Sequence, residues 1–186
     1  MATEITADAA IVLPDTQKDN IAVSYAEGKA GTLINVKADS TDATIAISGP
    51  TTISGAKSSG FTFTFTKAAS LSVENTLNNS TIIGAAGSDS VNFTDSSLLK
   101  KTVVKLDEGA DSVQFGGAIK SAKVRMGKDD SADTVVVDSL KNIADPKSLK
   151  IREFGTDDTL VVNGKTYTAD NVAKADFHDK IIVKFD

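Results

Sequence analysis

The 186-residue sequence contains no cysteine and no tryptophan, only three prolines and two tyrosines, and a single histidine. Without cysteine there is no disulfide, no thiolate nucleophile and no Cys-based zinc site. Secreted and virion proteins can lack cysteine, so the compartment is not fixed by this. The lone histidine, His178, lies beside Asp176 and Asp179 with no partner pattern for metal binding or proton transfer, and is expected on the surface. Gly-x-Ser-x-Gly, Walker and His-Glu-x-x-His patterns do not occur either. Paired carboxylates hydrolysing a sugar chain would lack the aromatic platforms that hold the sugar, so no enzymatic activity is expected. Apolar runs never approach the ~18 residues of a membrane span. The opening MATEITADAAIVLPD has neither the basic region nor the apolar length of a cleavable signal peptide. Basic clusters interleaved with aromatics are missing as well, and the formal net charge is −5 with a pI near 4.9. Nucleic acid is therefore not an expected partner.

What the sequence does have is an internal repeat. GSDSVNF at Gly87–Phe93, GADSVQF at Gly109–Phe115, SADTVVV at Ser131–Val137 and TDDTLVV at Thr156–Val162 share one signature, placing Asp89, Asp111, Asp133 and Asp158 at spacings of 22, 22 and 25. After each aspartate the apolar residues alternate: Val91 and Phe93, Val113 and Phe115, Val135 and Val137, Leu160 and Val162. Roughly ten residues earlier comes a second short run, in which Ile82, Val104, Met126 and Ile151 align, with Thr81, Val103, Arg125 and Lys150 facing the other way. A period of two within a run is strand chemistry, and recurrence between runs means the same strand returns one coil later. The pattern predicts an all-β fold: a single-stranded, right-handed parallel β-solenoid of about 22 residues per coil with N- and C-terminal caps.

The length fits one domain with a real core. Residues 1–30, with strand candidates at Ala9–Leu13 and Asn20–Tyr25 around a Pro14-Asp15 turn, are expected as an N-terminal cap or arm. Residues 31–162 form the solenoid, with Gly55–Gly60 and Glu74–Asn79 read as turns. Phe61, Phe63 and Phe65 alternate with Thr62, Thr64 and Thr66 as a half-buried strand. A Thr-x-Thr ice-binding face is not expected, because the outward positions taken as equivalent downstream are Ser72, Asn92, Gln114 and Val136. A loop is expected around Asn142–Lys147. In the C-terminal cap, 163–186, Asn163-Gly164 signals a hairpin, Thr168 can cap a short helix over Thr168–Ala175, and Lys180–Phe185 reads as a strand. Lys100, Lys101, Lys120, Lys123, Lys141 and Lys147 recur on the coil side away from the aspartates and are read as solvated surface.

The segment Gly84-Ala85-Ala86-Gly87-Ser88-Asp89-Ser90-Val91-Asn92 resembles the glycine- and aspartate-rich nonapeptide of the repeats-in-toxin (haemolysin-type) calcium-binding proteins. The resemblance implies a β-roll in which the turn aspartates, here Asp89, Asp111, Asp133 and Asp158, bind calcium, with Val91, Val113, Val135 and Leu160 pointing inward. The turn recurs once per 22 residues where the family repeats every nine. Leu106 and Lys128 replace the leading glycine, and Ser131 and Thr156 the fourth-position one. Stacked carboxylates repel unless a cation, protons or hydrogen bonds compensate. Asp107, Glu108, Asp129, Asp130 and Asp157 crowd the same turns with further oxygen ligands suited to calcium. Yet Asp and Ser also form turns unaided, by hydrogen-bonding their own backbone.

The expected function is a non-catalytic structural or surface-exposed solenoid, a virion component of the capsid-decoration or fibre type, acting in assembly or attachment. The expected partners are further copies, as in a trimer, or a capsid or cell-surface protein. The expected location is a virion or extracellular surface. The alternative is a secreted, calcium-stabilised repeats-in-toxin-type module or an adhesin.

Overall fold

Strands of two to six residues stack in register to form a parallel β-solenoid. The structure, a computed structural model, describes the strands Thr3–Thr6, Ile11–Leu13, Asn20–Ser24, Thr32–Val36 and Ser40–Thr41, and then residues 43–185 continuously. The described strands form three sheets. The first contains Thr3–Thr6, Asn20–Ser24, Thr44–Ile47, Thr62–Phe65, Thr81–Ile83, Thr102–Lys105, Ala122–Arg125, Leu149–Phe154 and Ile181–Phe185. The second contains Ile11–Leu13, Thr32–Val36, Thr51–Gly55, Ser70–Val73, Ser90–Phe93, Ser112–Phe115, Thr134–Val137, Thr159–Val162 and Lys165–Tyr167. The third is short: Ser40–Thr41, Ser58–Ser59, Thr76–Asn78, Leu98–Lys100 and Ala118–Ile119. All pairings are parallel except that of Lys165–Tyr167 with Thr159–Val162.

Alternation decides which side chains fill the interior. On the first sheet Ile45, Phe63, Ile82, Val104, Val124 and Ile151 pair in succession and are fully buried. On the second, Leu71, Val91, Val113, Val135 and Leu160 do the same. Beside them the rings of Phe93 and Phe115 stack at 5.2 Å with an interplanar angle of 13°. The third sheet adds one inward apolar residue per coil: Leu77, Leu99, Ile119 and, through an isolated bridge, Ile143. Each such buried side chain contributes roughly 1.5–3 kcal/mol. Like stacks on like, so a coil can be repeated without redesigning its neighbours.

The third sheet was not expected: Gly55–Gly60 and Glu74–Asn79 hold strands where turns were read. Each of its rungs offers a single inward side chain between turn-forming residues, too little for a period of two to show. The first-sheet register also differs. Val103 pairs with Lys123 and Val104 with Val124, not with Arg125 and Met126. The alignment assumed a constant interval, whereas Val104 to Val124 is 20 residues and Val113 to Val135 is 22. The turn preceding Asp133 absorbs the difference. Thr62 and Thr64 lie on the first sheet, so their neighbours are Thr44, Thr81, Ala46 and Ile83 rather than the second-sheet residues compared above.

In residues 1–30, expected as a cap or arm, the described strands pair in parallel with the stack: Asn20–Ser24 bridges Thr3–Thr6 and Thr44–Ile47, and Ile11–Leu13 pairs with Thr32–Val36. The Pro14-Asp15 turn lies outside the described residues. In the coil that follows Asp133 the third-sheet strand is replaced by a 3-10 turn, Leu140–Asn142, and residues 144–147 are exposed. The chain then forms the Asn163-Gly164 hairpin, with φ of 52° and 75°. A helix of four residues follows, Ala169–Val172, shorter than expected, at whose start Asn171 Oδ1 accepts the Thr168 N–H. The last strand, Ile181–Phe185, joins the first sheet in parallel.

Candidate functional site

The four aspartates sit at the corner where each coil passes from the first sheet to the second, in single file. All are almost fully buried, at 2%, 2%, 1% and 4% exposure for Asp89, Asp111, Asp133 and Asp158. Consecutive coils are joined through them in both directions. Oδ1 of Asp111 accepts the backbone N–H of Asp89 at 2.7 Å, Oδ1 of Asp133 that of Asp111 at 2.8 Å, and Oδ1 of Asp158 that of Asp133 at 3.0 Å. Asp89 continues the file backwards by accepting from Ala69 N–H at 2.9 Å. In return, the carbonyls of Asp89, Asp111 and Asp133 accept the N–H groups of Ser112, Thr134 and Thr159 in the next coil. The second carboxylate oxygen closes the aspartate's own turn: Asp89 Oδ2 accepts Ala85 N–H and Asp158 Oδ2 accepts Gly155 N–H, both at 2.7 Å.

The glycines of the signature follow from the same close approach. A Cβ on Gly109, whose φ is +124°, would lie 2.5 Å from the Gly87 carbonyl carbon. In the next coil the positive φ moves earlier, to Gly127 at +101°, which is why Ser131 is tolerated where Gly87 and Gly109 stand.

Burial dominates the electrostatics. Loss of hydration raises all four carboxyls above their usual range, Asp111 and Asp133 to about 7. The N–H donors pull the other way, and for Asp111 and Asp133 the neighbouring ladder carboxylates add to the rise. Asp111 Oδ2 is buried with no hydrogen-bond partner, so its lost hydration is little offset. Asp129 behaves oppositely. Nearer the surface, its Oδ2 accepts Gly109 N–H at 2.8 Å, and this bond, with help from Ser131, holds it below the usual range. Its role as a second clamp between coils was not evident from the sequence, where it is one of several acids in the turn.

Each Oδ1 in the file spends one lone pair on a backbone N–H of the preceding coil, which places a positive dipole where a cation would compete for the same oxygen. Among the described residues no group of three or more His, Asp or Glu side chains is placed to hold a metal. Asp107, Glu108, Asp130 and Asp157 are exposed on the outside of the corner. His178 is exposed at a positive φ of 51°, with Nδ1 3.4 Å from Asp176 Oδ1.

A second cluster was missed by sequence reading. The outward positions of the first sheet hold Lys105, Lys123, Arg125, Lys150, Arg152 and Lys184 on adjacent strands. Only the parallel register reveals the set, since its members are separated by whole coils in the chain. No family model, no curated protein and no solved structure matches this chain.

Proposed function

We propose that this chain is a non-catalytic structural β-solenoid, a surface-exposed virion component of the capsid-decoration or fibre type that acts in assembly or attachment. The observation that carries this reading is the aspartate file. Buried carboxyls with raised pKa are ordinarily the first candidates for catalysis. Here every one of them gives its Oδ1 to a backbone N–H of the preceding coil, a bond between coils that stiffens a rod. The C-terminal end supports association. The strand Ile181–Phe185 pairs on one side with Leu149–Phe154, Phe185 is 47% exposed, and an apolar groove of about 270 Å3 runs past Val172, Phe177 and Ile182. A one-sided strand edge beside exposed apolar side chains can take up a neighbouring copy or a particle protein.

Two measurements test the proposal together: mass spectrometry of purified particles from the source, and light scattering of the purified chain. The expected result is the chain in the particles and a solution mass that is a multiple of 19.3 kDa. A strict monomer that is absent from particles overturns it.

A further inference from the structure

In a chain with a net charge of −5, cations are concentrated on one sheet face. Lys105, Arg125, Arg152 and Lys184 are register partners on four successive strands, and Lys123 and Lys150 are partners two residues earlier on two of them. Neighbouring strands lie about 4.8 Å apart, so the row of four spans roughly 14 Å along the solenoid axis. Like charges directly opposite one another on adjacent strands destabilise a sheet, and little among the described residues offsets this row. The ion pair that the face shows among the described residues joins Arg125 Nη1 to Glu153 Oε1 at 3.9 Å, a long, partly exposed contact worth little. Arg152 Nε is buried without a hydrogen-bond partner. It lies at a cleft of about 160 Å3 bordered by Lys150, Arg152, Ile182 and Lys184. Burial and the charges of Arg125, Arg152 and Lys105 depress the Lys123 ammonium, and Glu153 opposes them only in part.

We propose that this face binds an acidic polysaccharide, laid along the solenoid axis with its sulfate or carboxylate groups on the two rows of cations. Shape and charge favour a thin polyanion. The two rows are set two residues apart, a band about 7 Å wide, and the acidic corner carrying Asp107, Asp129 and Asp157 follows within a few residues along the chain. A DNA duplex, with two phosphate strands and a groove too broad for this band, would meet those acids. The outward side chains beside the cations are Thr81, Ile83, Val103 and Ile182, which offer bases no stacking surface. The inference stands apart from the virion reading, because a face of this charge binds its ligand whether or not the chain is a particle component.

The test is calorimetric titration of the full chain with dextran sulfate, with neutral dextran and a short DNA duplex in parallel. Dextran sulfate is expected to bind with an affinity that falls steeply with salt, and neutral dextran not at all. Lys105→Ala/Arg125→Ala/Lys150→Ala should weaken binding about tenfold or more with a melting temperature that is unchanged or raised, since like charges are relieved. Lys67→Ala/Lys174→Ala, which removes exposed cations elsewhere, should bind like the parent. No binding of dextran sulfate, equal losses in both variants, or a duplex held as tightly through the same residues overturns the proposal. Should the triple variant melt early, single Lys105→Ala and Lys150→Ala variants carry the same comparison.

Discussion

A carboxylate that accepts a backbone N–H from the next coil does for a solenoid corner what an N-cap does for a helix: it supplies an acceptor where the sheet ladder has turned away. Asp111 is the most informative of the four, with one oxygen on Asp89 N–H and the other unpartnered. Asp111→Ala should destabilise the fold by about 1–3 kcal/mol, because it strands a buried donor. Asp111→Asn retains an acceptor at Oδ1 and should cost clearly less in urea unfolding; equal losses would mean that the bond to Asp89 contributes little. The same buried acids give folding a pH dependence. Asp111 and Asp133 hold their protons to about 7 in the folded chain against 3.8 for the ordinary group, so folding takes up protons between those values. As far as these residues are concerned, stability is therefore greatest below the ordinary value of 3.8, falls as pH rises toward about 7, and levels off above it. The melting temperature at pH 5 should exceed that at pH 8, and Asp111→Asn/Asp133→Asn should flatten the difference. A double variant with the parent's slope would assign the pH dependence to other groups.

Among elements, the corner and the strand that follows it were legible in the sequence, while the face opposite was not. Ser90–Phe93, Ser112–Phe115, Thr134–Val137 and Thr159–Val162 were readable because each has two inward residues and an aspartate at a fixed distance before it. Ala118–Ile119 has one inward residue and no such marker, so its register appears only when coils are stacked. The Met126 and Arg125 misalignment arose the same way: the turn before Asp133 is longer than those before it, and no residue in Gly127–Ser131 announces where the surplus lies. The aspartates were found, but what they bond to was not, since a ligand oxygen and an N–H acceptor look alike in one dimension. Gly109 is the point at which element geometry is tightest. Gly109→Ala must accept an unfavourable φ, at about 1–3 kcal/mol, and displace the Gly87 backbone. It should destabilise more than Ala110→Gly, an exposed neighbour in the same turn, and parity between the two in thermal melts would show that the corners have slack.

At the scale of the whole molecule the coils form a one-dimensional stack in which each contacts its neighbours, so local stability should depend on distance from an end. The interior coils are held by three kinds of bond at once: sheet ladders, the Asp89–Asp111–Asp133–Asp158 file and the Phe93–Phe115 ring stack. Ile181–Phe185 has a ladder on one side and its exposed Phe185 leaning edge-on against Phe154 at 6.0 Å. Amide hydrogen exchange should therefore be slowest at Val113 and Val135 and fastest along Ile181–Phe185. Phe185→Ser should accelerate exchange in that last strand and in Leu149–Phe154 while leaving Val113 unchanged. Calcium enters the same comparison. A cation bound to the corners would slow exchange at Asp89, Asp111 and Asp133 and raise the melting temperature, but their Oδ1 atoms and N–H groups already satisfy one another along the file. Exchange at these amides should be the same in millimolar calcium and in chelator. Protection that appears only with calcium would show that the outer acids Asp107, Asp130 and Asp157 draw a cation to the corner, and the file would then be a scaffold for that site.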